Sequence, residues 1–488
     1  MLRYRRFMTV MTGLKVGVTR PVIIQGGMGI AVSGWKLARE VARTGQLGVV
    51  SGTGLDSVVA RRLQDGDKGH HIRRALRHFP SPAIVSRVLD RYFRVEGREG
   101  APYRPQPPLG LDPTPAAIEL AMVGSFTEVW LAKEGHKGVV GINLLEKIQT
   151  ATLSAVLGAM LAGVDYVLMG AGIPRQLPKL LTDFAAGHAG EISIDVTDSS
   201  HPYTATLDPV KLLGAELPVM HRPQFLAIVS LHVLAAFLNR NEQIKPDGFI
   251  VEGPLAGGHS APPRGKMTCD DEGQPIYGEK DQADLAAMNA IGLPFWLAGA
   301  YGTPERVAEA VAAGAVGVQV GTLFAFAEES GLQRDLRLGL LKSLVAGTLS
   351  IRNDPRASPT NFPFKIASIE GTLSDPATYE ARERICDLGL LRTPVEREGG
   401  RVAYRCASEP SHMYVKKGGD AADTVGRMCL CNALLADVGL GKERKNGYVE
   451  QAAITLGQDL SGPERLAETH PEGWTAAEAV RWLTSCLP

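Results

Sequence analysis

Between residues 21 and 322, short apolar runs and helix-patterned segments alternate eight times, and most of the runs stop at glycine or at a small or amide-bearing side chain. The runs fall at 21–25, 47–50, 138–142, 165–169, 225–230, 249–251, 294–298 and 317–320. Near-continuous apolar runs of this length mark strands covered on both faces, as in a parallel sheet. Parallel neighbours need a crossover, usually a helix, and eight βα units close a barrel. The expected fold is therefore α/β, a TIM (β/α)8 barrel with an inserted segment and a mainly helical C-terminal extension. An open doubly wound sheet is the structural rival, but it does not explain where the late glycines fall. A dinucleotide fingerprint fails twice. Gly27-Met28-Gly29 is followed by Ile30-Ala31-Val32, so the third glycine is missing, and Ser51-Gly52 stand where the second strand needs an acidic end.

Two stretches depart from the alternation. Residues 55–93 read as helical, and 97–115 are rich in Pro and Gly. Segments 192–196 and 203–207 alternate as an inserted hairpin within 188–220. Ser33 stands before Trp35, Leu37, Ala38, Val41 and Ala42 at helical spacing, and reads as the opening of the first helix. Leucines over 330–348 predict a helix leaving the barrel, 354–359 is a loop free to fold over the barrel mouth, and Thr475 with Glu478 has capping-box spacing. The expected organisation is a ligand-binding barrel over 1–330, with insertions near 55–125 and 188–220, and a C-terminal helical or lid region over 331–488.

Composition limits the function classes. The chain of 488 residues balances 52 basic against 52 acidic side chains, which argues against a nucleic-acid partner. The most apolar stretch, 226–238, is interrupted by Ser230 and His232 and is too short to cross a bilayer. Arg3, Arg5 and Arg6 are not followed by an apolar run of signal-peptide type, so a cytoplasmic protein is expected. Six cysteines in so long a chain do not form a disulfide scaffold. Four of them, Cys386, Cys406, Cys429 and Cys431, fall late. They lack a C-x-x-C pair, so a zinc or iron–sulfur site and a set of reduced, buried thiols are both open readings.

Ligands in α/β barrels bind at the carboxyl ends of the strands. Strand six exits into Gly253-Pro254-Leu255-Ala256-Gly257-Gly258-His259-Ser260, which puts His259 at that face as a candidate acid/base. Gly257 and Gly258 would let a planar ligand approach the backbone. Strand seven exits at Ala298-Gly299-Ala300 and strand eight at Gly321-Thr322, the two loops that form the usual barrel phosphate site. Gln25, Gly26, Gly27, Met28, Asn143, Gly170 and Gln319 complete the ring of strand ends. Amides and bare backbone suit a neutral heteroaromatic ring, and a flavin with one phosphate, FMN, satisfies both halves; a phosphosugar would use the same phosphate site. Cys269 is a rival nucleophile, but Asp270, Asp271 and Glu272 follow it, and neighbouring carboxylates raise a thiol's pKa.

At residues 21–29, 141–144, 257–259, 297–300 and 317–322 the chain resembles the nitronate monooxygenase family, formerly the 2-nitropropane dioxygenases, over roughly 21–365. The resemblance implies a barrel core, FMN as cofactor, and the Gly-Gly-His histidine, here His259, as catalytic base. It implies oxidation of alkyl nitronates with O2 to a carbonyl compound and nitrite. Arg264 would pair with the nitronate oxygens, although a solvent-facing loop arginine fits that position equally. The relatives include FMN-dependent reductases of enoyl-acyl carrier protein and of quinones, so an NAD(P)H-using enoyl-thioester or quinone reductase is the alternative. A flavin- or phosphate-binding protein with little turnover is the second. Expected partners are a small-molecule substrate and O2, with neither nucleic acid nor membrane, and a homodimer left open.

Overall fold

The computed structural model describes residues 20–214 and 216–487. The expectation drawn from Arg3, Arg5 and Arg6 lies outside the described residues. The barrel strands are β1 (Ile23–Gln25), β2 (Leu47–Ser51), β3 (Val140–Leu145) and β4 (Tyr166–Gly170). The hairpin β5 (Gly190–Ile194) and β6 (Tyr203–Leu207) intervenes, and β7 (Gln224–Val229), β8 (Gly248–Glu252), β9 (Phe295–Ala298) and β10 (Gly317–Val320) complete the set. The eight strands close in the order β1-β10-β9-β8-β7-β4-β3-β2, all parallel, so the TIM barrel read from the alternation is the fold observed.

Strand interiors are buried on both faces, as the apolar runs require. Ile24, Leu47, Val49, Leu168, Leu226, Ile250 and Trp296 pack inside the barrel, and the Trp296 indole N–H donates to the Pro21 carbonyl at 2.8 Å. Neighbouring backbone approaches so closely that some strand positions admit only glycine. A Cβ at Gly48 would lie 1.8 Å from the Ala38 carbonyl oxygen, and one at Gly317 would lie 1.8 Å from that of Val22.

The first helix, Trp35–Arg43, starts after Gly34 and not at Ser33. Ser33 is buried instead: its hydroxyl donates to the Gly26 carbonyl at 2.8 Å and accepts from the Met28 N–H at 3.0 Å. A hydroxyl offered to the loop at the carboxyl end of β1 is unavailable for capping.

A helix not anticipated from the sequence, Pro115–Lys133, is the last crossover element before β3. Thr114 caps it by accepting from the Ala117 N–H, and Pro115 occupies its first position. It lies against Leu55–Gln64 on one side and Gln149–Leu161 on the other.

After β10 the chain runs through helix Arg334–Val345 and adds two antiparallel pairs to the expected helices: β11 (Ile351–Asp354) with β12 (Phe364–Ala367), and β13 (Thr393–Arg397) with β14 (Arg401–Arg405). The last helix, Ala476–Leu483, has the expected capping box between Thr475 and Glu478. It returns to the barrel, packing on Trp35–Arg43, while the buried Trp474 donates its indole N–H to the Leu323 carbonyl at 3.0 Å. Among the described residues no helix is long and apolar enough to cross a membrane.

Gly317→Ala should lower stability by about 1–3 kcal/mol, the usual cost of overpacking. The added methyl must push β10 from β1 where the barrel closes. A urea midpoint equal to that of the unsubstituted protein would contradict this account of closure.

Candidate functional site

The carboxyl ends of the barrel strands open into a cavity of about 1030 Å³. His259, Gly26, Gly27, Met28, Asn143, Gly170, Gly257 and Gly258 all line it. So do Ala298, Gly299, Ala300, Gln319, Gly321, Thr322 and Arg264. Gln25 does not. Its amide is fully buried, with the oxygen accepting from the Val49 N–H at 3.1 Å and the nitrogen donating to Ser33 Oγ at 2.9 Å. The side chain at the end of β1 turns into the wall and ties β1 to β2, which a strand-end position read from sequence does not reveal.

His259 is held by residues about 100 positions away. Backbone N–H groups of Ser260 and Lys365 donate to the carbonyls of Pro363 and Gly258 at 2.9 and 3.0 Å, so the Gly-Gly-His segment pairs antiparallel with the start of β12. The His259 ring meets the Phe364 ring edge-on at 4.8 Å, and its Nε2 lies 2.7 Å from Ser358 Oγ. Ser358 is fully buried and touches Thr360 Oγ at 2.8 Å. Enclosure disfavours the imidazolium, so burial pulls the His259 pKa down to about 4 and keeps the ring neutral near pH 7.

The two neighbouring glycines serve different purposes. At Gly258 φ is +78° with open space beside the Cα, and its N–H donates to Thr455 Oγ at 2.9 Å. A Cβ at Gly257 would instead come within 2.9 Å of the Gly457 nitrogen. Glycine is thus required there by the C-terminal segment, not by a ligand. That segment also engages the late loops. The Gly457 N–H donates to Thr322 Oγ at 2.8 Å, and the Gln458 N–H to the Leu255 carbonyl at 3.0 Å.

Two cavity amides have oxygens that are buried and lack any hydrogen-bond partner: Asn143 Oδ1 and Gln319 Oε1. Buried acceptors without partners are uncommon and call for a ligand donor or water. The close packing beneath them is fixed by Gly27, whose Cβ would fall 2.5 Å from that of Asn143. On the far side, Gly299 and Ala300 both adopt positive φ, +83° and +65°, which turns the β9 exit over the cavity beside Gly321. Donor-seeking amides at the floor and bare backbone turns at the β9 and β10 exits fit a ring-plus-phosphate ligand such as FMN.

Arg264 is exposed at the rim, its guanidinium on Ser230 Oγ at 3.1 Å and its backbone N–H on Asp281 at 2.7 Å. Cys269 is exposed and does not line the cavity. Of the late cysteines, Cys431 alone reaches the cavity, and among the described residues no group of three or more His, Cys, Asp or Glu is arranged to hold a metal ion.

The sequence reading missed a second pair of ionisable groups. Glu252, the last residue of β8, lines the cavity. Lys365 on β12 is fully buried, with its ammonium against Ser260 Oγ. Burial raises the Glu252 carboxyl to about 7 against the opposing pull of Lys365, and burial lowers Lys365 to about 8 against the pull of Glu252. Glu252 had a visible signal, a charged residue closing an apolar strand at the ligand-binding end. Lys365 had none, since the pairing of β12 with the histidine loop is long-range.

Residues 216–358 match the family model of nitronate monooxygenase. The match takes in β7 to β11, His259 and, at its last residue, Ser358. No curated protein matches the chain. Among solved structures it is similar to FabK from Thermotoga maritima, with 16% identity over 96% of this chain and 93% of that one and a TM-score of 0.46. It is also similar to a nitroalkane oxidase from Streptomyces ansochromogenes, with 15% identity over 96% of both chains and a TM-score of 0.47. At such identities and TM-scores these likenesses carry no weight for substrate or chemistry.

The neutral His259 has a stability consequence. Its folded-state pKa of about 4 lies below the ordinary 6.5, so the unfolded chain binds more protons between these values. The contribution is intact above about pH 6.5 and is lost as pH falls toward 4. Compared with His259→Gln, which cannot protonate, the parent protein should lose denaturation midpoint progressively across that interval. A midpoint difference that stays flat would show that the ring is not held neutral.

Proposed function

We propose that the chain is an FMN-dependent oxidoreductase of nitronate monooxygenase type, oxidising alkyl nitronates with O2 to a carbonyl compound and nitrite, with His259 as its base. The observation that carries the reading is the neutral imidazole, fixed by Ser358 beside two unpartnered amides in one cavity at the barrel mouth. The family match over 216–358 supports it.

Asn143, Gln319 and the backbone of Gly26, Gly27, Met28 and Gly170 would hold the flavin ring. The turns at Ala298, Gly299, Ala300, Gly321 and Thr322 would hold its phosphate. Bound there, FMN supplies the electron acceptor that the protein's own side chains lack.

The remaining work falls to the protein. Ser358 Oγ accepts from the Thr360 N–H at 3.2 Å, and with its hydroxyl directed to Thr360 Oγ it can accept from His259 Nε2–H. In that tautomer, assigned from the network, Nδ1 keeps its lone pair and has no protein partner. Nδ1 then takes the α-proton of a nitroalkane, the step that makes the nitronate. An imidazole of low pKa is a weak base in isolation, but the imidazolium forms beside a new anion, and in an enclosed site that attraction is large. Arg264 at the rim draws the anion inward. Residues 331–488 act in this reading as a roof on the same site, excluding bulk water.

A second reading, reduction of an enoyl thioester or quinone by NAD(P)H, is favoured by one feature. Ile173, Val233, Phe237 and Leu255 line the cavity yet are 51, 64, 46 and 44% exposed, an apolar rim larger than a small nitroalkane needs.

The purified protein should be yellow. Anaerobic mixing with a nitronate should bleach the flavin faster than mixing with NADH or NADPH; the reverse order would select the reductase. His259→Ala should keep FMN and lose about 10²- to 10⁴-fold in kcat/KM on nitroalkanes, the span of general-base catalysis. Unchanged turnover would leave the chain a flavin-binding protein with another role.

A further inference from the structure

The proposed base leaves Glu252 unexplained. Its carboxyl stands at the end of β8, in register with Ala298 at the exit of β9. It makes no hydrogen bond or salt bridge within 4.0 Å to any described residue, although Lys365 lies on the strand paired with the adjoining loop. Lys365 does not itself line the cavity. The arrangement is an unpartnered acid aimed into an enclosed space, with a cation behind the wall.

An ionised carboxylate in that place would repel the anion that the proposed reaction requires. A carboxylic acid would not, and it carries a donor. We infer that Glu252 meets the bound anion in its protonated form, donating its O–H to the anionic head group, while the Lys365 ammonium behind Ser260 governs how readily that proton leaves. The inference rests on the proposed function for the anionic nature of the ligand.

His259, Arg264, Tyr277, Asp281, Tyr301, Cys431 and Asp459 also line the cavity, yet among the described residues only Lys365 acts on the Glu252 carboxyl, and it acts against burial. Burial dominates and holds the carboxyl at about 7, so near neutral pH the acid and its conjugate base are both populated. Above that value, binding an anion must be accompanied by uptake of one proton at Glu252. Affinity for the anion then falls with pH by linkage.

The test uses FMN-loaded protein and propanoate, an unreactive carboxylate shaped like a nitronate, with affinity read from the flavin absorption spectrum between pH 6 and 9. The Kd of the parent protein should rise about tenfold per pH unit above about 7. Glu252→Gln, which keeps an uncharged donor of the same shape, should bind with a Kd that is flat in pH to within about twofold. Lys365→Met removes the cation that favours ionisation and should move the onset of weakening to higher pH. A parent Kd independent of pH overturns the inference, as does a Glu252→Gln variant that keeps the parent slope. So does loss of FMN from Glu252→Gln, which would make Glu252 a cofactor ligand. If the propanoate linkage holds while nitronates are not oxidised, the inference stands and the proposed reaction falls.

Discussion

Two backbone hydrogen bonds join the loop after β8 to the start of β12, and the candidate site depends on them. They run from Ser260 to Pro363 and from Lys365 to Gly258, and they fix an antiparallel bridge around His259. Each bond alone contributes only about 0.5–1.5 kcal/mol net. Their effect is geometric: once the bridge forms, Ser358 and Phe364 fall against the imidazole, and Lys365 behind Ser260. Thr455 adds a third tie by accepting from the Gly258 N–H, and the Gly257 backbone can approach Gly457 only because Gly257 carries no Cβ. A histidine presented by a barrel loop alone would be one mobile ring at a rim. Here it is a wall element between two parts of the chain.

The same docking explains the electrostatics. His259, Glu252 and Lys365 depart from their ordinary pKa values in different directions, yet burial is the largest cause in all three. Covering the barrel mouth with Phe362, Phe364, Leu390 and Leu434 withdraws water from groups that would otherwise be solvated. Each then moves toward its neutral form. With His259 and Glu252 held toward their neutral forms, a charge brought in by a ligand is felt strongly beside them, because screening by bulk water is reduced there.

What could be read from the sequence follows the same division. Barrel strands such as Leu47–Ser51 and Phe295–Ala298 were legible because burial on both faces forces unbroken apolar runs, and glycine exits punctuate them. Cavity residues at those exits were legible for the same reason, since topology fixes which end of a parallel strand meets the ligand. Gln25 was misplaced because adjacent side chains on a strand face opposite ways, and a three-residue strand gives no periodicity to decide between them. Helix Pro115–Lys133 escaped notice because it is covered by helices on two sides, which erases the amphipathic stripe. Strands β11 and β12 are four residues each and pair across a loop, so their signal lies in long-range contacts. Lys365 was invisible as a site residue on that account, whereas Ser358 lies on the 354–359 loop expected over the barrel mouth and only its contact with His259 went unread.

The floor and roof of the cavity therefore carry different information about ligands. The floor is built from strand ends whose positions the barrel dictates, and its unpartnered amides and turned glycine loops fit a ring and a phosphate. The roof comes from outside the barrel: Phe362, Phe364, Leu390, Leu391, the helix Leu430–Ala436 through Leu430, Cys431 and Leu434, and 455–463. Nothing in barrel closure constrains those side chains, so they are free to differ between chains that share a floor. The family match reaches from 216 to 358 and so includes the base and its serine partner while stopping short of the roof. On the proposed reading, the cofactor is a property of the barrel, and the choice between a small nitronate and a longer apolar substrate belongs to the roof and the exposed rim of Ile173, Val233, Phe237 and Leu255.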